Sequence, residues 1–166
     1  PWPHLYQHPE SIAVLTVHRE FRGEPWLFWG RIRTPETRTL TDLQACIDSF
    51  QQQPVERQFA RELQLAALPT PLRRLIWWWN MHLAGPARAR RLGTFFLSTL
   101  AGRGAEIRLP PSIQTACLTY GPLDEQGICR VTLAYDHRIM DGVLAATILE
   151  RLEQLLLTEI RTELQS

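Results

Sequence analysis

Apolar residues along this chain follow two rhythms. In SIAVLTVHREF (11 to 21) and PWLFWGRIR (25 to 33), β-branched and aromatic residues dominate, and Arg22-Gly23-Glu24 supplies turn chemistry between them, so the pair predicts a β-hairpin. The rhythm then changes. Residues 39 to 50 open with Thr39 as a cap candidate and place Leu40, Leu43, Ile47 and Phe50 at helical spacing, a surface helix ended by Pro54. Residues 55 to 68 and 70 to 83 read as two more helices, split at Pro69-Thr70-Pro71, where Thr70 can cap and Pro71 can take the first helical position. Strand patterns return at 93 to 100, 112 to 121 and 128 to 137, separated by Gly- or Pro-containing breaks. After Asp141, the residues Ala145, Ile148, Leu149, Leu152, Leu155, Leu156, Ile160 and Leu164 make one stripe of a long amphipathic helix.

Composition narrows the class. At 166 residues and 45% hydrophobic content, the chain can bury one ordinary core, which predicts a single domain spanning residues 1 to 166. All 18 basic residues are Arg, so no residue of this chain can form a Schiff-base lysine or carry lipoyl or biotin through a lysine. A formal charge of +1 without a basic run points away from nucleic acid. Cys46, Cys117 and Cys129 are odd in number and lack C-x-x-C spacing, so a reduced, cytoplasmic chain is the simplest reading. No signal peptide or membrane-spanning run is present in these residues. The chain opens in loop-like sequence without Met, which leads us to expect a piece of a longer protein.

The most polar cluster sits at a junction. In LAYDHRIMDGVLA (133 to 145), an alternating segment ends in His137, on one face with Val131, Leu133 and Tyr135, and Asp141-Gly142 opens the last helix. Asp141 stands where an N-cap belongs, and a strand-end histidine is often no more than a hydrogen-bonded structural residue. An H-x-x-x-D pair could ligate a metal on a continuous helix, but no third ligand is nearby, so metal is the weakest reading.

Three blocks carry a family resemblance. Tyr135-Asp136-His137-Arg138-Ile139-Met140-Asp141-Gly142 resembles the Y-D-H-R-x-x-D-G signature of the 2-oxo acid dehydrogenase acyltransferase (E2) catalytic domain, whose superfold includes chloramphenicol acetyltransferase. Gly93-Thr94-Phe95-Phe96-Leu97-Ser98-Thr99-Leu100 resembles that family's G-T-F-T-I-S-N-L, and Leu109-Pro110-Pro111 its N-P-P before a strand. The resemblance implies an α/β fold of the chloramphenicol acetyltransferase type, a two-layer sandwich with a mixed sheet covered by helices, working as a homotrimer with sites between subunits. It implies acyl transfer between a thioester and an acceptor, coenzyme A being the expected carrier and a lipoyl group having to come from elsewhere. His137 would be the general base, Ser98 the oxyanion donor and Asp141 an ion-paired support of the histidine loop, chemistry that suits each group. Thr94, in the second block, is a candidate substrate contact.

This sequence departs from the pattern at several places. The N-terminal segment that carries the aspartate's arginine partner in the family is not evident, leaving Arg138, or no residue visible in the sequence, as the partner of Asp141. Thr99 and Ala101 replace the asparagine and glycine expected after Ser98. A peptide-synthetase condensation domain would show a second histidine where Asp136 stands, which disfavours that relative. The run Trp77-Trp78-Trp79, flanked by Arg73-Arg74 and by Arg88, Arg90 and Arg91, cannot turn to one core. Packing against a neighbouring element or subunit is the plain reading of it; a wall for a long acyl chain or a membrane-surface anchor are the functional ones. His4, His8, His18 and His82 lack ligand spacing. A subunit that keeps the fold for oligomerisation and has lost turnover is the alternative to an enzyme.

Overall fold

The computed structural model describes residues 6–110 and 113–165; His4, Pro111 of the third block and Ser112, first residue of a predicted strand, lie outside the described residues. The protein is α/β, with five strands of mixed direction and helices among the described residues. It divides into two compact units, the described residues up to Ser98 and those from Thr99 on.

In the first unit, β1 (Ile12–Phe21) and β2 (Glu24–Arg33) pair antiparallel from Ile12 opposite Arg33 to Phe21 opposite Glu24. Only Arg22 and Gly23 form the turn, and both have positive φ (55° and 77°). That is the two-residue geometry whose twist matches a hairpin, which is why Glu24, expected in the turn, belongs to the strand instead. The strand β3 (Phe95–Thr99) runs parallel to β1, with Ala13 opposite Phe95 and Leu15 opposite Leu97, so this sheet is mixed.

Period-two alternation gives the sheet two faces. On one, Ala13, Val17 and Phe21 meet Phe28 and Ile32, and the layer is closed by Phe50, Val55 and Phe59. Phe50 comes from α1 (Leu40–Gln52), whose Thr39 cap accepts the amide of Asp42 at 3.1 Å as its sequence predicts. Gly30 leaves room for it: a Cβ there would fall 2.5 Å from the Phe50 ring. Residues 55 to 68 are not one helix but two, α2 (Val55–Gln58) and α3 (Ala60–Ala67), interrupted at Phe59, whose buried ring stacks on Phe28 at 4.5 Å between centroids.

The helix α4 (Thr70–His82) begins one residue earlier than expected. Pro69 occupies the cap position, Arg73 donates its amide to the Pro69 carbonyl, and Thr70 makes no side-chain cap. A further helix, α5 (Gly85–Leu92), has no apolar period to announce it and is held by Arg91, which donates to Asn80 Oδ1 of α4 at 2.6 Å.

In the second unit, β4 (Ala116–Leu123) and β5 (Cys129–Tyr135) form an antiparallel pair with an irregularity between Tyr120 and Leu123. Strand β4 starts later than the pattern at 112 suggests, and β5 stops two residues short of His137. Cys117 and Thr119 are buried, and Thr119 Oγ1 donates to the Ile107 carbonyl at 2.9 Å. Burial pushes the Cys117 thiol up, away from the reactive thiolate form. The helix α6 (Gly142–Leu155) continues through a π-helical turn at Leu156–Ile160 into α7 (Arg161–Gln165). The expected single stripe divides: Ala145 is buried and Leu149, Leu152, Leu155 and Ile160 are half-buried, while Ile148, Leu156 and Leu164 face solvent.

Candidate active site

Ser98 is set by the parallel pairing of β3 with β1. Its hydroxyl lies 3.0 Å from Thr16 Oγ1, in a half-buried position, and either hydroxyl can donate. One of the two therefore has its proton left to offer a third group. Phe96, two residues earlier, shares the Ser98 face of the strand, and its ring lies 6.3 Å edge-on from Trp29, which in turn meets Trp77 of α4 at 6.0 Å. The three consecutive Trp residues thus separate: Trp77 packs toward the face that bears Ser98, whereas Trp78 and Trp79 are 51% and 53% exposed.

Thr94 has a local task. Its Oγ1 accepts the Ile12 amide at 2.8 Å and lies 3.2 Å from the Ile12 carbonyl, so the hydroxyl ties the start of β3 to β1.

His137 is not a strand residue, as its place in the alternating row suggests, but part of a turn after β5. The turn is built by Asp136. Its amide donates to the Thr115 carbonyl, and its own carbonyl accepts the amides of Ile139 (2.9 Å) and Met140 (3.1 Å). The Asp136 carboxylate accepts the Arg138 amide at 3.0 Å and grips the Arg138 guanidinium from both oxygens, Nε at 2.9 Å and Nη2 at 2.6 Å. Hydrogen bonding to this carboxylate holds the Arg138 guanidinium above its usual pKa. An exposed ion pair contributes little stability by itself, but here the forked geometry spans His137 and fixes the residue on either side of it. The imidazole is exposed, tilted against the Tyr135 ring at 5.9 Å, and makes no hydrogen bond among the described residues. Asp136 thus organises the turn that carries His137, a part its sequence position did not announce. The D-x-R spacing inside a turn was the available signal.

Asp141 caps the last helix, as its position foretold, and is not ion-paired to Arg138. Its Oδ1 accepts the Leu144 amide at 2.8 Å, capping α6, while Arg138 is paired with Asp136 and not with Asp141. A cap needs an acceptor oxygen rather than a charge. Asp141→Ala is accordingly expected to cost about 1 kcal/mol and Asp141→Asn a few tenths at most, read as unfolding midpoints. Equal losses in the two variants would show that the charge, not the cap, matters.

Among the described residues there is no group of three or more side chains able to hold a metal ion. No family model matches the chain, and no curated protein sequence matches it. The chain is similar to solved structures. One is the dihydrolipoamide acetyltransferase of Azotobacter vinelandii, with 21% identity, a TM-score of 0.49, and 95% of this chain aligned to 58% of that one. A second is the cubic core of the pyruvate dehydrogenase multienzyme complex, at 17% identity and TM-score 0.43, covering 94% of this chain and 57% of the other. A third, a probable dihydrolipoamide acetyltransferase from Listeria monocytogenes, has 19% identity and TM-score 0.41, with 87% and 55% covered. The chain thus spans under three-fifths of the length of each structure it is similar to.

Proposed function

We propose that this chain is an acyltransferase that moves an acyl group between a coenzyme A-type or lipoyl thioester and an acceptor. The observation that carries the reading is the Asp136-to-Asp141 segment, which folds as a braced turn presenting an imidazole with no hydrogen bond among the described residues. In the reaction His137 takes the proton of the incoming thiol or hydroxyl. The freed anion attacks the thioester carbonyl, and the Ser98 hydroxyl donates to the oxyanion that forms. Collapse expels the carrier thiolate, which recovers the proton from the imidazolium. Since the chain has no lysine, a lipoyl substrate arrives on another domain or protein.

Such a reaction needs water kept away from the thioester. In the isolated chain His137 is open and is accompanied by exposed Ile139, Val143 and Leu144. This supports a homotrimer in which a neighbouring copy covers the His137 turn and one copy's Ser98 serves the acyl group activated by another's His137. The same exposed residues would also suit a subunit kept for assembly alone, the second reading.

A direct test separates the two. The chain is incubated with acetyl-CoA and a small dithiol, and thioester loss is followed by its ultraviolet absorbance. Saturable turnover that falls about 100-fold in Ser98→Ala is expected for the enzyme. No turnover above the uncatalysed exchange, with light scattering showing an intact oligomer, would leave the assembly role in its place.

A further inference from the structure

The helix α4 turns large apolar side chains to solvent. Its inner side carries Arg73, Ile76, Trp77 and Asn80, where Trp77 meets Trp29, Asn80 meets Arg91 and Arg73 reaches the Ala66 carbonyl. Its outer side carries Leu72, Leu75, Trp78, Trp79 and Leu83, at i, i+3, i+4 and i+7 spacing and 43% to 57% exposed. An ordinary surface helix turns charged and polar residues to solvent instead. Charge is equally one-sided. From Glu62 to the end of the first unit at Ser98 there is no further acidic residue, while Arg73, Arg74, Arg88, Arg90 and Arg91 fall in that interval. Arg73 and Arg91 bind neutral oxygens, so these bonds cancel neither charge. Arg74 is exposed one turn before Trp78, and Arg90 is exposed on α5.

From these observations we infer that the outer face of α4, with the arginines around it, docks on an anionic lipid bilayer. Indole rings favour the boundary between headgroups and acyl chains, and arginines beside them meet the lipid charge. A self-complementary contact between two copies would set this cationic face against its like, which disfavours a second copy as the occupant. The contact is interfacial: α4 has 13 residues, and no helix among the described residues is long and apolar enough to cross a membrane. The inference does not depend on the acyl-transfer reading, since neither Trp78 nor Trp79 is assigned a part in it.

The test is co-sedimentation of the whole chain with vesicles of phosphatidylcholine alone and of equal parts phosphatidylcholine and phosphatidylglycerol. Binding is expected to the anionic vesicles at low salt and to weaken as salt rises. Arg74→Gln should lower the partition coefficient about fivefold. The double variant Trp78→Ala/Trp79→Ala should lower it about tenfold or more. Circular dichroism should be unchanged in both, because the altered side chains lie on the surface. Failure to sediment with anionic vesicles at low salt overturns the proposal. So does unchanged binding in the variants, or a double variant whose only defect is a smaller oligomer by light scattering, which would assign the face to contacts between copies.

Discussion

Gly93→Ala is expected to unfold much of the first unit's margin of stability, while Gly102→Ala is expected to be nearly silent. Gly93 closes α5 by donating its amide to the Ala89 carbonyl and turns the chain into β3 with φ 86° and ψ 166°, a conformation reserved in practice for glycine. A Cβ there would stand 2.2 Å from Cγ2 of Val14 and 3.1 Å from the Ile12 carbonyl oxygen. Val14 is fully buried and cannot yield. Backbone strain of roughly 1–3 kcal/mol and overpacking of a similar size add at one point, against a total stability of about 5–15 kcal/mol for a typical domain. Gly102 has an open surrounding and no positive φ. Urea unfolding compares the pair, and equal midpoints would mean that β1 does not hold the Gly93 turn as described. Under the proposed function the change reaches the chemistry too, since the same β1–β3 pairing sets Ser98 beside Thr16.

That dependence also explains which features could be read from the chain. The β1–β2 hairpin is legible because alternation, aromatic content and Arg22-Gly23 all agree over a short span. The Thr39 and Asp141 caps are legible because a cap is a bond between residues three apart. What depends on distant partners is not. Nothing near Ser98 in sequence announces Thr16, which lies 82 residues away. Phe59 breaks a helical pattern that is locally sound because Phe28 and Phe50 form a site for its ring. The helix α5 lacks a hydrophobic stripe, and its support is an Arg91–Asn80 bond that no periodicity encodes. The Trp run shows the limit most plainly: helical geometry says that its three rings diverge, and only the position of Trp29 decides that Trp77 is the one that packs inward.

The largest expected effect on chemistry is at His137. Replacing it with Ala removes the only imidazole of the Asp136-to-Asp141 turn, the group to which the proposed reaction gives the thiol proton. Loss of a general base lowers turnover by about 10²–10⁴-fold. Because Asp136 and Arg138 brace the turn through the backbone and through each other, the His137→Ala protein should keep its unfolding midpoint. Asp136→Ala should behave differently. With the carboxylate gone, the Arg138 amide and guanidinium lose their acceptor, and the imidazole is carried on a looser loop. Turnover should then fall by less than in His137→Ala, and a pH-rate profile should keep a basic limb, since the proton acceptor itself remains. Added imidazole offers a further reading, because a small base can enter the space left in His137→Ala but cannot restore the geometry lost in Asp136→Ala. Rescue confined to His137→Ala would identify His137 as the proton acceptor and Asp136 as the residue that aims it; full activity in His137→Ala would sink both roles at once.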